Sequence, residues 1–418
     1  MKPTILLSLL LIVLQVHNGY GAKDSVQERI ASSIDDFALK FSKLITSRQG
    51  ARKVSRQVSS LQGGKNIFFS PMSISMAFSM IGMGAKSNTE KQIYKGLGLD
   101  KIDTSMIHKG FQEFLKVLTS SNHQGMVNMG NGLYLAKGIK IATRYNKDLQ
   151  NFYKSEIFAV NFKDNVVAEK QINEFVKANT KGKIREVVRG LDPNTMMVLV
   201  NYIYFKDEWE YPFVPQNTKK GDFFVDDKTT VKVNMMKKTG YFRHVRDESL
   251  SCWVIELPYK GGAVAWFVLP DKGKLEKVED GLKGETLSKW RKSLETGTQF
   301  YLSIPKLSMA TSYDLKDLLP GLGISEVFTP NADLTGITGG GNKIPIFPPV
   351  QASHKAFLDI NESGTEAAAA TFMSSKVGAA PGPPPVPLVF DRPYFFFLMA
   401  SVDGPMLFMG KTVNPAHP

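Results

Sequence analysis

Residues 362–377 read Glu362-Ser363-Gly364-Thr365-Glu366-Ala367-Ala368-Ala369-Ala370-Thr371-Phe372-Met373-Ser374-Ser375-Lys376-Val377. Helix propensity makes this a short helix, with Thr365 as N-cap and 367–370 in its first turns. A period of two gives a different answer. Thr365, Ala367, Ala369, Thr371, Met373, Ser375 and Val377 are uncharged, and the charges Glu366 and Lys376 fall on the other parity. That is the pattern of a strand with one buried face. No proline interrupts 364–380, whereas Pro381 opens the run Pro381-Gly382-Pro383-Pro384-Pro385. Proline lacks the N–H and fixes φ, so the chain beyond it cannot join the middle of a sheet. Both readings stand on the residues. The second describes an exposed loop that can become a central strand as far as about Pro381.

Around this stretch, strands and helices alternate irregularly, which argues an α+β fold rather than repeated βα units. Helical faces are expected over 33–45, 73–83, 107–118, 168–177 and 282–294. The unbroken apolar run 196–205 (MMVLVNYIYF) reads as a strand buried on both faces. Hairpins are expected around Gly261-Gly262 and around Asp403-Gly404-Pro405. Three segments break the packed pattern. Residues 48–65 are basic with no acid, 336–349 are rich in Gly and Pro, and 378–387 should be extended, polyproline-like chain. No Ser/Gly linker divides the chain, so one large domain over 22–418 is expected.

The 418 residues carry 52 Lys+Arg against 39 Asp+Glu, a formal charge of +13. Hydrophobic residues at 43% are too many for a disordered chain, and four Trp with 27 Phe supply a large core. The single cysteine, Cys252, excludes an internal disulfide framework and any Cys-rich metal site. It lies in an apolar run and reads as a buried, inert thiol. At the N-terminus, Lys2 precedes the apolar run 4–16, and Gly19, Gly21 and Ala22 follow. This is the pattern of a secretory signal over 1–21, too short to span a bilayer. An extracellular protein is expected.

Catalytic chemistry is not evident. There is no G-x-S-x-G and no H-E-x-x-H, and the six histidines are scattered. Residues 404–412 mimic a phosphate loop but have five residues between the glycines and lie in an expected hairpin. The reading is a protein that is not an enzyme, with no cofactor, no metal, and neither nucleic acid nor membrane as partner.

Specific motifs then carry a resemblance. They are Asn66-Ile67-Phe68-Phe69-Ser70-Pro71, Leu199-Val200-Asn201-Tyr202-Ile203-Tyr204-Phe205-Lys206, Trp209, His354-Lys355-Ala356, the stretch 362–370, and Leu407-Phe408-Met409-Gly410-Lys411. The sequence resembles the serpins, nearest to their secreted antitrypsin-like group. The resemblance implies three β-sheets, eight or nine helices and an exposed reactive loop within 362–389. It also implies a metastable native form whose loop, once cut by a serine protease, inserts into the main sheet. Glu362, Gly364, Thr365, Glu366, Ala367, Ala368, Ala369 and Ala370 match the hinge. Ser70, Ser73, Asn201 and His354 match the polar cluster beneath the opening sheet, and Trp209 the entry point. Equally, these are buried polar groups paired for stability.

Family spacing from Glu362 puts the scissile bond at Gly378–Ala379. Lys376–Val377 is the alternative, because a lysine suits a trypsin-like pocket. Asn361-Glu362-Ser363 is the only N-glycosylation sequon, and it is expected to stay unmodified at the loop's base. Residues 345–349 replace what is a regular strand in the family. The basic charge suggests heparin or another polyanion, with Arg48, Arg52, Lys53 and Arg56 as one patch and Lys289, Arg291 and Lys292 as a second. A solvated basic surface explains the same residues. The partner implied is an extracellular serine protease, met by a monomer. A non-inhibitory carrier or a polyanion binder are the competing readings; the intact 364–370 hinge favours inhibition.

Overall fold

The computed structural model describes residues 25–56 (backbone only over 50–56), 65–119, 127–339, 350–365 and 383–417. The first helix, Val26–Arg56, buries Ile30, Ile34, Phe37, Ala38, Phe41 and Ile45 along one stripe. The expected helix over 33–45 therefore continues, and the basic segment 48–56 is its last turns rather than an inserted loop. Residues 46–56 contain no proline and are rich in Arg, Gln, Ala and Lys, good helix formers, so nothing stops the helix earlier.

The three-residue strand Ile67–Phe69 feeds directly into helix Pro71–Gly84. Ser70 caps that helix, its side chain accepting from the Ser73 amide, and Pro71 sits at the first helical position, where its missing N–H costs nothing. Among the described residues there are ten α-helices, two of them (Leu315–Leu318 and Thr335–Thr338) single turns.

The strands form three sheets. One has six strands and contains the two expected hairpins, Cys252–Pro258 with Val264–Pro270 and Tyr394–Met399 with Met406–Thr412. A second joins Val386–Val389, Gln299–Pro305, Thr230–Tyr241 and Lys219–Phe224 in that order. Part of the segment expected to be polyproline-like is thus a strand; Pro387 is tolerated because Val386–Val389 lies at the sheet edge.

The main sheet holds the site. Its core runs Glu156–Val160, Val127–Ala136, Met197–Phe205 and Gln351–Ile360, with Leu307–Asp314 on the far side of the last. Met197–Phe205 is buried at every position, and alternation explains why. Val198, Val200 and Tyr202 pack with Ile172 and Val176 of helix Asn165–Asn179. Met197, Leu199, Ile203 and Phe205 point the other way, into the main core. Met197–Phe205 and Gln351–Ile360 are parallel, paired from Val198↔Gln351 to Tyr204↔Phe357. Cys252 is fully buried, and burial pushes its thiol up to about 12.

Candidate functional site at the seam of the main sheet

Strand register sets three polar residues in one row. Asn131 lies opposite Asn201, and Asn201 opposite His354, on three adjacent strands. His354 is fully buried, and its Nε2 accepts from the Ser70 amide at 3.1 Å. Only a nitrogen without hydrogen can accept, so Nδ1 carries the proton and donates to Asn201 Oδ1 at 2.5 Å. Burial holds this ring neutral, with a pKa lowered to about 3. The Asn201 amide donates to Ser73 O at 3.1 Å and to Asn131 Oδ1 at 2.6 Å, with Ser73 Oγ at 2.5 Å. Tyr313 stacks on the His354 ring at 6.5 Å.

Ser70, Ser73, Asn201 and His354 are therefore brought together, pinning the start of helix Pro71–Gly84 under the seam between the two parallel strands. The His354–Asn201 bond bridges those two strands side chain to side chain. Asn131 was missed from sequence; its only signal is a polar residue between two glycines, Gly130 and Gly132, in a strand that becomes wholly apolar beyond them.

A second group closes the upper end of the seam. Beyond Phe357 the parallel pairing stops, and the two-residue strand Gly364–Thr365 occupies the gap. Thr365 pairs with Ile360 on one side and Asp207 on the other, antiparallel to both. Gly364 has φ 149°, and a Cβ there would lie 2.2 Å from Asp207 O, so only glycine fits. Thr365 is fully buried, its Oγ1 2.8 Å from the Tyr259 hydroxyl.

Trp209 floors this end. Its indole stacks on Tyr259 at 4.1 Å and donates to Asn361 O at 3.0 Å, while its backbone amide donates to Ser363 O at 3.0 Å. Residues 361–364 form a tight turn closed by Asn361 N to Gly364 O at 2.8 Å. Glu362 accepts from Lys306 at 2.8 Å and from Thr218 at 2.8 Å. Burial raises its proton affinity, but Lys306 and Thr218 outweigh that and hold the carboxyl below its ordinary value.

Trp209, Glu362, Gly364 and Thr365 thus form one latch. Tyr259, Lys306 and Thr218 complete it and carry no local sequence signal. Glu366, Ala367, Ala368, Ala369, Ala370, Lys376, Val377, Gly378 and Ala379 lie outside the described residues, as do 1–21, 57–64 and 345–349.

The basic candidates separate. Lys289 and Lys292 are exposed on helix Gly284–Ser293, beside an open groove of about 580 Å³ that also meets Ser32 and Glu285. Lys289 lies 3.3 Å from the buried Asp247 carboxylate. Arg291 does not belong with them. It is turned inward, 2.7 Å from the buried Asp35 and over the face of Trp266. Sequence spacing placed it on a basic face; the buried carboxylate of the first helix draws it under. Arg48 is half-buried, and the side chains of Arg52, Lys53 and Arg56 are outside the described set.

Comparisons with known proteins agree with this geometry. A family model described as Serpin (serine protease inhibitor) matches residues 46–415. Alpha-1-antiproteinase of Bos taurus is 44% identical over 354 residues, covering 84% of this chain and 83% of that protein. Human thyroxine-binding globulin superposes with TM-score 0.81 at 33% identity, covering 94% of this chain and 100% of that one. Glycosylated human kallistatin gives TM-score 0.80 at 36% identity, covering 94% and 99%.

Proposed function

Because the chain belongs to the serpin family, we propose that it is a secreted, monomeric inhibitor of an extracellular serine protease, acting once per molecule as a single domain over 22–418. The carrying observation is Gly364–Thr365, already seated antiparallel at the open end of a parallel strand pair. The protease serine attacks the scissile carbonyl as in a substrate. Its proton passes through the protease's histidine to the leaving amine, the peptide bond breaks, and an ester forms. The chain beyond Thr365 then inserts before water hydrolyses that ester, carrying the protease with it.

The register at Thr365 supports one path. Extending Thr365↔Ile360 and Thr365↔Asp207 without a bulge puts Ala367 between Leu358 and Phe205. It puts Ala369 between Ala356 and Ile203, and Thr371 between His354 and Asn201. Thr365 sets the parity, so 367, 369 and 371 turn inward and Glu366 and Lys376 outward. One parallel ladder is exchanged for two antiparallel ones, which are slightly more stable per residue. Thr371 brings a hydroxyl, both donor and acceptor, to where the His354–Asn201 bond must yield.

The test is incubation with trypsin-like, chymotrypsin-like and elastase-like proteases, followed by denaturing gels and sequencing of the released peptide. A covalent complex with a peptide starting at Ala379, or at Val377, supports the reading and fixes the bond. Cleavage by all three without any complex refutes it. The second reading is a carrier of a small ligand or a polyanion; the likeness to thyroxine-binding globulin and the groove beside Lys289 and Lys292 favour it.

A further inference from the structure

Beside the Trp209 end of the seam, a cavity of about 150 Å³ opens between Trp209, Tyr211, Phe242 and the polar pair Arg243 and Glu256. Lys238 forms part of its wall, and its surroundings are unusual for a cation. Its Nζ lies 5.5 Å from the Tyr211 ring centroid, 5.7 Å from Phe213 and 5.5 Å from Phe242. Its one hydrogen bond goes to Tyr211 O, leaving an ammonium with three donors and a single oxygen acceptor. Among the described residues no carboxylate pairs with it. The one acid on the wall is already engaged: Glu256 accepts from Arg243 at 2.8 Å and from Trp266 at 2.9 Å. The wall therefore carries one uncompensated positive charge against aromatic surface.

Size and chemistry together narrow the occupant. A dry cavity of roughly this volume holds one benzene-sized ring. Apolar pockets with one or two placed polar groups are the usual form of a small-molecule site. We propose that this cavity is a binding site for a small monoaryl carboxylate, its ring lying against Trp209 and Phe242 and its carboxylate accepting from Lys238. Water around the ammonium is largely replaced by rings, which lowers the Lys238 pKa to about 8. A bound carboxylate supplies the missing counter-charge. Trp209 is also the residue that holds Asn361 and Ser363, so an occupant here touches the indole at the base of the hinge.

The probe is 3-phenylpropionate, compared with 3-phenylpropanol, its neutral counterpart, by calorimetry and tryptophan fluorescence on the full secreted chain. The acid is expected to bind at least about tenfold more tightly than the alcohol, because the charge-assisted bond is made only by the anion. Lys238→Met keeps the stem against the rings and should bring the two ligands to equal affinity, while Lys238→Arg keeps the preference. Lys289→Gln with Lys292→Gln, which alters the separate groove, should change nothing. Equal binding of acid and alcohol by the unaltered protein overturns the proposal, as does no binding of either at millimolar concentration. A preference that survives in Lys238→Met, or vanishes in the Lys289/Lys292 variant, also overturns it. The comparison within the unaltered protein stands whether or not the variants fold.

Discussion

Replacing Thr365 with arginine tests the insertion mechanism at its first step. Thr365 is fully buried, bonded through Oγ1 to Tyr259, and paired on both edges. Arginine cannot shed its charge, and an unpaired buried ion costs several kcal/mol after relaxation. Loss of the Thr365–Tyr259 bond adds about 1 kcal/mol. Much of this is avoided by leaving the residue outside the gap, so the cost falls on insertion rather than on folding. If about 3 kcal/mol reaches the insertion barrier, the rate falls roughly 150-fold. Inhibition is a race between insertion and ester hydrolysis, so most molecules would then be cut and released. The assay titrates Thr365→Arg against a fixed amount of a protease that the unaltered protein traps. Trapping should require many equivalents, with cleaved inhibitor accumulating on the gel, whereas Thr365→Ser should behave as the parent. Undiminished covalent complex at the parent's stoichiometry would refute the placement of Thr365 as the leading residue of the inserting strand.

Nicking the loop should raise the melting midpoint. About ten new backbone hydrogen bonds at about 1 kcal/mol each, and about 1.2 °C per kcal/mol for a domain of this size, give roughly 12 °C by calorimetry. Stability should fall on acidification between about pH 6.5 and 4. His354 and His108 are held neutral by burial, at about 3 and about 4, so the unfolded chain binds more protons there; the histidine contribution is complete above about 6.5. Each contributes a slope of up to about 1.4 kcal/mol per pH unit, and His108→Gln should remove its share in urea titrations. Lys289→Gln with Lys292→Gln should lower the salt needed to elute the protein from heparin. Arg291→Gln should leave elution nearly unchanged but destabilise by about 3 kcal/mol, because it strands the buried Asp35.

How legible each part was depends on whether its cause is local. Met197–Phe205 could be read directly, because a strand covered on both faces needs an unbroken apolar run. The helix expected over 73–83 was legible as an apolar run, but its start at Pro71 under the Ser70 cap lies two residues earlier than that run shows. The parity of 365–377 can be counted along the chain, and the structure seats its first member, Thr365, in the main sheet. The partners were not legible. Tyr259 and Lys306 reach the hinge from 106 and 56 residues away, and nothing in their own neighbourhoods marks them. Arg291 misled for the same reason: Asp35, which turns it inward, is 256 residues distant. The length of the first helix escaped because its last turns are polar, where hydrophobic periodicity is silent and only propensity speaks.

The turn at 361–364 also bears on biosynthesis. Its backbone oxygens are all engaged: Asn361 O by the Trp209 indole and Gly364 N, Glu362 O by Phe213 N, and Ser363 O by Trp209 N. An oligosaccharyltransferase must grip that tripeptide as open chain, so sugar addition at Asn361 can succeed only on the nascent polypeptide, before Trp209 docks. On the proposed secretory route, the expected absence of sugar at this sequon then means that the newly made protein closes its latch before the transferase reaches it.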